Sequence, residues 1–408
     1  MNEMGEKSKP DIRFAGFTEA WEQHELGDVA EFNPKSTLPD SFEYVDLESV
    51  VGTDLISHRT ELRPTAPSRA QRLARRGDIF YQTVRPYQKN NYLFDFPCND
   101  YVFSTGYAQM RPSIDSRFLF SRLQEELFVK AVLDRCTGTS YPAINANDLS
   151  EIEVKVPCDK AEQIKIGATF KSLDHLITLH QREHDKTVNI KKAMLEKMFP
   201  KEGEDKPEIR FAGFSDVWEQ RKLSSMADVT DTMHATAPLE DNKTQFRMIR
   251  TSSVRNGNLY SEKTDSVDEK TYTKWSDRIR LQKGDVVFSR EAPIGESAVI
   301  PEDEYKYFLG QRMVGIRSKE NLSPEFLNVT FLAPKFRNEV AIRNAESTTV
   351  ANFGIPSIKS YELDVPSLQE QRQIGSLFTA LDHLITLHQR ELSKLQNMKK
   401  ALLGKMFV

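Results

Sequence analysis

Catalysis needs reactive side chains at short, defined spacings, and this sequence offers few of them. It holds no Gly-x-x-x-x-Gly-Lys-[Ser/Thr] loop for nucleotide phosphates and no Gly-x-Gly-x-x-Gly fingerprint. The nearest approach to an amino-methyltransferase tetrapeptide (Asn/Asp-Pro-Pro-aromatic) is Asn33-Pro34-Lys35-Ser36, which lacks the second proline and the ring. A nuclease pattern of the Pro-Asp…Glu-x-Lys kind could be assembled from Pro39-Asp40 and Glu153-Val154-Lys155, but these stand far apart and no further carboxylate is placed for a metal. Cys98, Cys136 and Cys158 are scattered, with no Cys-x-x-Cys pair. That predicts a reducing, cytoplasmic setting without a zinc site or disulfide framework. Four of the eight histidines (His175, His180, His383, His388) recur at i, i+5, which does not set a pair on one helix face as metal ligands. The expectation is a chain with no catalytic residues and no bound metal.

Binding chemistry is better represented. Net charge is −4, yet the charge is unevenly placed. Residues 11–54 carry 11 acidic and 2 basic side chains, whereas 59–92 carry 8 basic and 2 acidic. The second half echoes this, with 7 acidic and 3 basic over 208–242 and 11 basic and 6 acidic over 243–290. A basic stripe on an acidic body suits an anion-binding face, and its recurrence weighs against a merely solvated surface.

The elements that position these stripes come from a tandem repeat. Ile12-Arg-Phe-Ala-Gly-Phe17 returns letter for letter at Ile209–Phe214, and Trp21-Glu-Gln23 at Trp218–Gln220. Leu173-Asp-His-Leu-Ile-Thr-Leu-His-Gln-Arg-Glu183 returns unchanged as Leu381–Glu391, in a register that holds from Glu162-Gln163 to Lys197-Met-Phe199. Near-identical segments must meet the same partner or each other, while the diverged stretches between them do two versions of one job. Apolar residues at Ile166, Phe170, Leu173 and Ile177 recur at helical spacing. Leu381, Ile385, His388, Leu392, Leu395, Leu402 and Met406 step by fours and threes like a heptad seam with one polar position. Leu173, Ile177, His180, Leu381, Ile385, His388, Leu392 and Leu395 are therefore assigned to a coiled-coil seam. Each helix of about 40 residues would span roughly 60 Å, and each is the obvious partner of the other. A pseudo-twofold relation would make the pair antiparallel. Gly77-Asp-Ile-Phe-Tyr81 and Gly284-Asp-Val-Val-Phe288 each predict a turn feeding a buried strand. Residues 152–156 and 361–365 alternate as half-exposed strands that lead to the long helices. The fold class expected is α+β: two similar globules held apart by two long antiparallel helices. No run approaches the roughly 18 apolar residues of a membrane span.

The Phe-x-Gly-Phe…Trp opening, the Gly-Asp-hydrophobic strand and the Glu-Gln…Ile…Leu-Asp-x-x-Ile helix, all present twice and in order, resemble the specificity subunit of Type I restriction-modification systems. The resemblance implies two target-recognition domains, residues 10–158 and 208–366. Long helices follow over 159–199 and 367–408, with a linker at 200–207. Each domain would read one half of a split, asymmetric DNA target, with the helices fixing the gap. Two modification subunits would methylate adenine at N6 with S-adenosylmethionine, and two restriction subunits would add ATP- and Mg-dependent cleavage; none of these cofactors would sit on this chain. Phe14, Phe17 and Trp21, with Phe211, Phe214 and Trp218, could serve each core or a partner surface.

Phosphate contacts supply affinity and base-edge contacts supply sequence choice. Arg69, Arg72, Arg75 and Arg76 form a candidate phosphate set. Arg85, Tyr87, Lys89, Asn90 and Asn91 mix the side chains that pair with base edges with an aromatic ring. Thr139 and Tyr141 lie in a polar loop equivalent to that of Thr348 and Asn352. The second domain offers Arg247, Arg250, Lys274, Arg278, Arg290 and Arg312. Two rival readings stay open: a stand-alone nuclease or methyltransferase with diverged motifs, and a coiled-coil scaffold without DNA specificity.

Overall fold

The structure, a computed structural model, describes residues 9–138, 140–233, 235–346 and 352–408. The chain divides into two compact units, one of residues up to Arg182 with Gln389–Val408, the other Glu183–His388. The division cuts through both long helices, Lys160–Lys197 and Leu368–Met406, so each unit owns a globule and a part of each helix.

In the first unit, one sheet has the order Ala30–Phe32, Tyr107–Pro112, Ile79–Gln82, Tyr92–Leu93. A second has the order Arg59–Leu62, Ser41–Val45, Tyr101–Ser104, Ala70–Leu73, with its middle pair parallel. The second unit repeats the plan. Ala227–Asp231, Met313–Ser318, Val286–Ser289 and Ser297–Val299 form one sheet, and Asp265–Ser266, Phe246–Ile249 and Lys306–Leu309 another, again with one parallel pair. The alternating segments are strands Glu153–Val156 and Glu362–Val365, with identical burial patterns. They pair antiparallel with Glu22–Glu25 and Glu219–Lys222, which follow the buried Trp21 and Trp218.

Each Gly-Asp turn feeds a fully buried strand, Ile79–Gln82 or Val286–Ser289. The aspartate is itself buried. Asp78 accepts from the Arg75 amide at 2.9 Å and takes both arms of Arg111 at 2.9 Å. Asp285 accepts from the Gln282 amide at 2.8 Å and takes Arg317 at 2.8 and 2.7 Å. A buried carboxylate persists only with such a set of donors.

The repeated letters outside the strands are locks between globule and helix. Arg13 grips the buried Glu162 through two bonds of 2.6 and 2.8 Å, and Arg210 grips Glu370 at the same distances. The next residue bridges as well: Gln163 accepts from the Asp115 amide and donates to the Pro157 carbonyl, as Gln371 does with Ser323 and Pro366. A Cβ on Gly167 would meet Arg117 Cβ and the Phe118 amide at 2.7 Å, and one on Gly375 would meet Glu325 Cβ at 2.7 Å. A mid-helix glycine costs about 1 kcal/mol relative to alanine, and here it permits the close approach of a second helix.

Within the first unit the ring of Phe170 stands 5.6 Å from that of Phe407, and Asp174 meets Lys399 at 2.5 Å, so the helix segments run antiparallel. Burial pushes the Asp174 carboxyl above the usual carboxylate range, against the pull of Lys399. The second unit makes the same pair with roles exchanged, Lys191 to Asp382 at 2.5 Å. Of the seam residues, Leu173, Leu381, Leu392 and Leu395 are buried, and Ile177, His180, Ile385 and His388 are half-buried. Phe407 also packs on Trp21 and Phe118, and Phe199 on Trp218 and Phe326. The residues at and just past the end of each long helix are thus core for the globule of the other repeat. Trp21 and Trp218 are core residues, whereas Phe14, Phe17, Phe211 and Phe214 stay half-exposed.

Candidate nucleic-acid interface

In the first unit, the segment after the buried strand Ile79–Gln82 turns back through a short 3-10 helix, Pro86–Gln88, flanked by Arg85 and Lys89 at φ 54° and 55°. Side chains lacking Gly's freedom hold this left-handed geometry only when their surroundings over-determine it. Here they do. Gln82 donates to the Val84 carbonyl at 2.6 Å and to Gln88 at 3.0 Å. Asn91 accepts from the Gln82 amide at 2.8 Å, and Asn90 accepts from the Gly52 amide at 2.8 Å. Lys89 reaches the Gln124 carbonyl at 3.0 Å and Glu126 at 2.9 Å. Asn91 is a correction to the sequence reading: it is 1% exposed, and its side-chain oxygen is used in building the turn.

This turn meets the polar loop before the last strand. The Arg85 amide donates to Pro142 O at 2.7 Å and the Ile144 amide to Thr83 O at 3.0 Å. The second unit makes the equivalent contact, Phe353 amide to Arg290 O at 2.8 Å. In each unit, therefore, the turn after the buried strand and the polar loop before the last strand are neighbours. Tyr87 and Tyr141 are 51% and 64% exposed, the Arg85 guanidinium lies 4.3 Å over the Tyr141 ring, and Asn352 is exposed. Thr139 and Thr348 lie outside the described residues.

The structure sorts the basic stripes by what their charges already hold. Arg76 pairs with Asp95 at 3.0 Å, Arg290 with Asp231 at 2.8 Å, Arg312 with Glu291 at 2.8 Å, and Arg250 with Asp265. Asp95 also takes Lys171 at 2.5 Å, and that bond, joined by Arg76, holds its carboxyl down at about 2. Arg278 donates to the Thr232 carbonyl at 2.8 Å, and exposed Lys274 lies over Trp275. Arg247 is a second correction: it is buried, bonded to Ser266 at 2.6 Å and packed on Tyr305, so it supports its sheet. Arg72 is half-buried with its charge desolvated, while Arg69 and Arg75 are exposed. Arg343, which sequence reasoning passed over, stacks 4.2 Å over Phe353 beside the equivalent loop. It sits in the last turns of the helix Pro334–Glu346, just before the loop, so only its basic character in a loop-flanking helix signalled it. Among the described residues, no three His, Cys, Asp or Glu side chains are grouped to share a metal ion, and no helix is long and apolar enough to cross a membrane.

Comparison with known proteins matches both halves. Residues 18–188 and 215–397 each fit the family described as Type I restriction modification DNA specificity domain. The chain is 21% identical over 306 residues to the Type I restriction enzyme MjaVIII specificity subunit of Methanocaldococcus jannaschii, covering 72% of this chain and 70% of that protein. It is 24% identical over 193 residues to the HindI specificity subunit of Haemophilus influenzae, covering 44% of this chain and 40% of that one. Its fold is shared with a Type I restriction-modification S subunit from M. genitalium, at a TM-score of 0.62 and 14% identity over 98% and 99% of the two chains. Two family domains spanning most of the length, on a twice-built α+β plan with locked helices, place the chain in the Type I restriction-modification specificity family, as a subunit that recognises DNA sequence.

Proposed function

We propose that this chain reads a split, asymmetric DNA target, one half with each unit, and does no chemistry itself. The observation that carries the reading is the double construction. The locks Arg13–Glu162 and Arg210–Glu370 are the same, whereas the loops that meet beside Arg85 and Arg290 differ. Identical frames with different loops suit two readers of different half-sites. The repeated exposed helix pairs Leu176/Leu179 and Leu384/Leu387 support docking of two like partners, which we take to be modification subunits that methylate adenine at N6. S-adenosylmethionine would be held by those subunits, and ATP and Mg by restriction subunits where present. The cysteines are free, in keeping with work in the cytoplasm.

Exchange of residues 10–158 for those of a relative with another target tests the reading. The expected result is a new sequence in one half of the target and an unchanged second half; a change in both halves overturns it.

A further inference from the structure

The geometry points to Arg85, clamped on Tyr141, as the reader of a guanine in the major groove, at one base pair of one half-site. This rests on the DNA-reading role proposed above and names a base within it.

Three observations converge. First, Arg85 is the cation in its turn whose charge no carboxylate takes up among the described residues: Lys89, four residues on, is spent on Glu126, whereas Arg85 has the Tyr141 ring beneath it. Stacking on an aromatic face leaves the edges of the planar fork free for a bidentate partner. Second, hydrogen bonds tie down the backbone on both sides of the clamp. Arg85 is held in the left-handed region by the Gln82–Gln88–Asn91 network. On the other side, Tyr141 lies close to the bridge between Thr137 and Ala143, which exchange amide–carbonyl bonds of 2.9 and 3.0 Å. Gly138, at φ 87°, lets the Tyr141 carbonyl come within 3.1 Å of where a Cβ would stand. Backbone already held in this way has less entropy to lose on binding. Third, in the register of the Gly-Asp turns Ala292-Pro293 stands where the first unit has Arg85-Pro86, and Arg343, stacked beside the second unit's loop, is paired with Glu339 at 2.7 Å, so the two units differ in this fork. A guanidinium offering two parallel donors fits guanine O6 and N7.

The test uses the chain assembled with its modification subunits, and target duplexes in which each guanine in turn becomes 7-deazaguanine, which lacks the N7 acceptor. The natural assembly should lose roughly 5- to 160-fold in affinity at one guanine of one half-site. Arg85→Ala should be indifferent to that replacement and accept other bases there. Arg85→Lys, which keeps the charge and loses the fork, should relax the same position while preserving the salt dependence. Tyr141→Phe should read as the natural chain, and Tyr141→Leu should lose part of the discrimination. If Arg85→Ala instead weakened all duplexes equally and lowered the salt slope by about 0.9, Arg85 would be a phosphate contact and the inference would fail alone. If the natural assembly showed no sequence preference, the DNA-reading role would fall with it.

Discussion

Replacing Arg13 by methionine should be among the most damaging single changes outside the sheets. The Glu162 side chain is 0% exposed and Arg13 13%, so the variant strands a carboxylate in the interior with its two charge-assisted bonds gone. Breaking a buried pair from one side costs about 3–5 kcal/mol. Glu162 lies in the first turn of the helix, where the dipole favours a negative charge by about 0.3–1 kcal/mol. The desolvation wins, and the expected loss is about 3 kcal/mol in the first unit. Arg13→Met combined with Glu162→Met should recover most of it, since two apolar groups of similar size leave no charge behind. Because two units unfold here, urea titration should be followed by hydrogen exchange resolved to peptides, with loss of protection over 160–182 and little change in Pro324–Thr330. A cost below about 1 kcal/mol, the value of an exposed pair, would refute the reasoning, as would a double variant no better than the single one.

Phe407→Ala removes a ring in contact with Trp21, Phe118 and Phe170, and should destabilise the first unit by about 3–5 kcal/mol in the same assay, while Phe199→Ala should act on the second. Acid should also act on the first unit. The Asp95 carboxyl, held by Lys171 and Arg76, is depressed from 3.8 to about 2 in the fold, so its contribution is complete above the unfolded value and is lost as pH falls through the folded one. Asp95→Asn should flatten the unfolding midpoint between about pH 4 and pH 2; an unchanged pH profile would count against this cluster.

Much of the frame is legible in the sequence because duplication kept the letters that lock it. Arg13, Glu162 and Gln163 and their copies stand out as repeats, although the Arg13–Glu162 bonds join residues 149 positions apart, the Gln163–Asp115 bond residues 48 apart, and no local pattern shows what they hold. The Gly-Asp strands and the heptad seam are likewise visible, since period and turn chemistry are local properties. The unit boundary is different. A helix looks like one object in sequence, yet its end, Met198-Phe199 or Met406-Phe407, packs in the core of the other repeat's globule. The choice among basic residues is the least legible part. Whether Arg76, Arg250 or Arg290 is free depends on an acidic side chain brought close by folding, and part of each basic stripe is neutralised by the chain itself. The same accounting leaves Arg69, Arg72, Arg75 and Arg85 of the first unit's candidates without an ion pair among the described residues, Arg72 with its charge desolvated.

The most direct measurement is a genome-wide map of N6-methyladenine in cells carrying the cognate modification subunit, with and without this gene. One split motif present only with the gene is the predicted result, and Arg85→Ala should relax it at one position. An unchanged map, with the complex shown to assemble, would contradict the account.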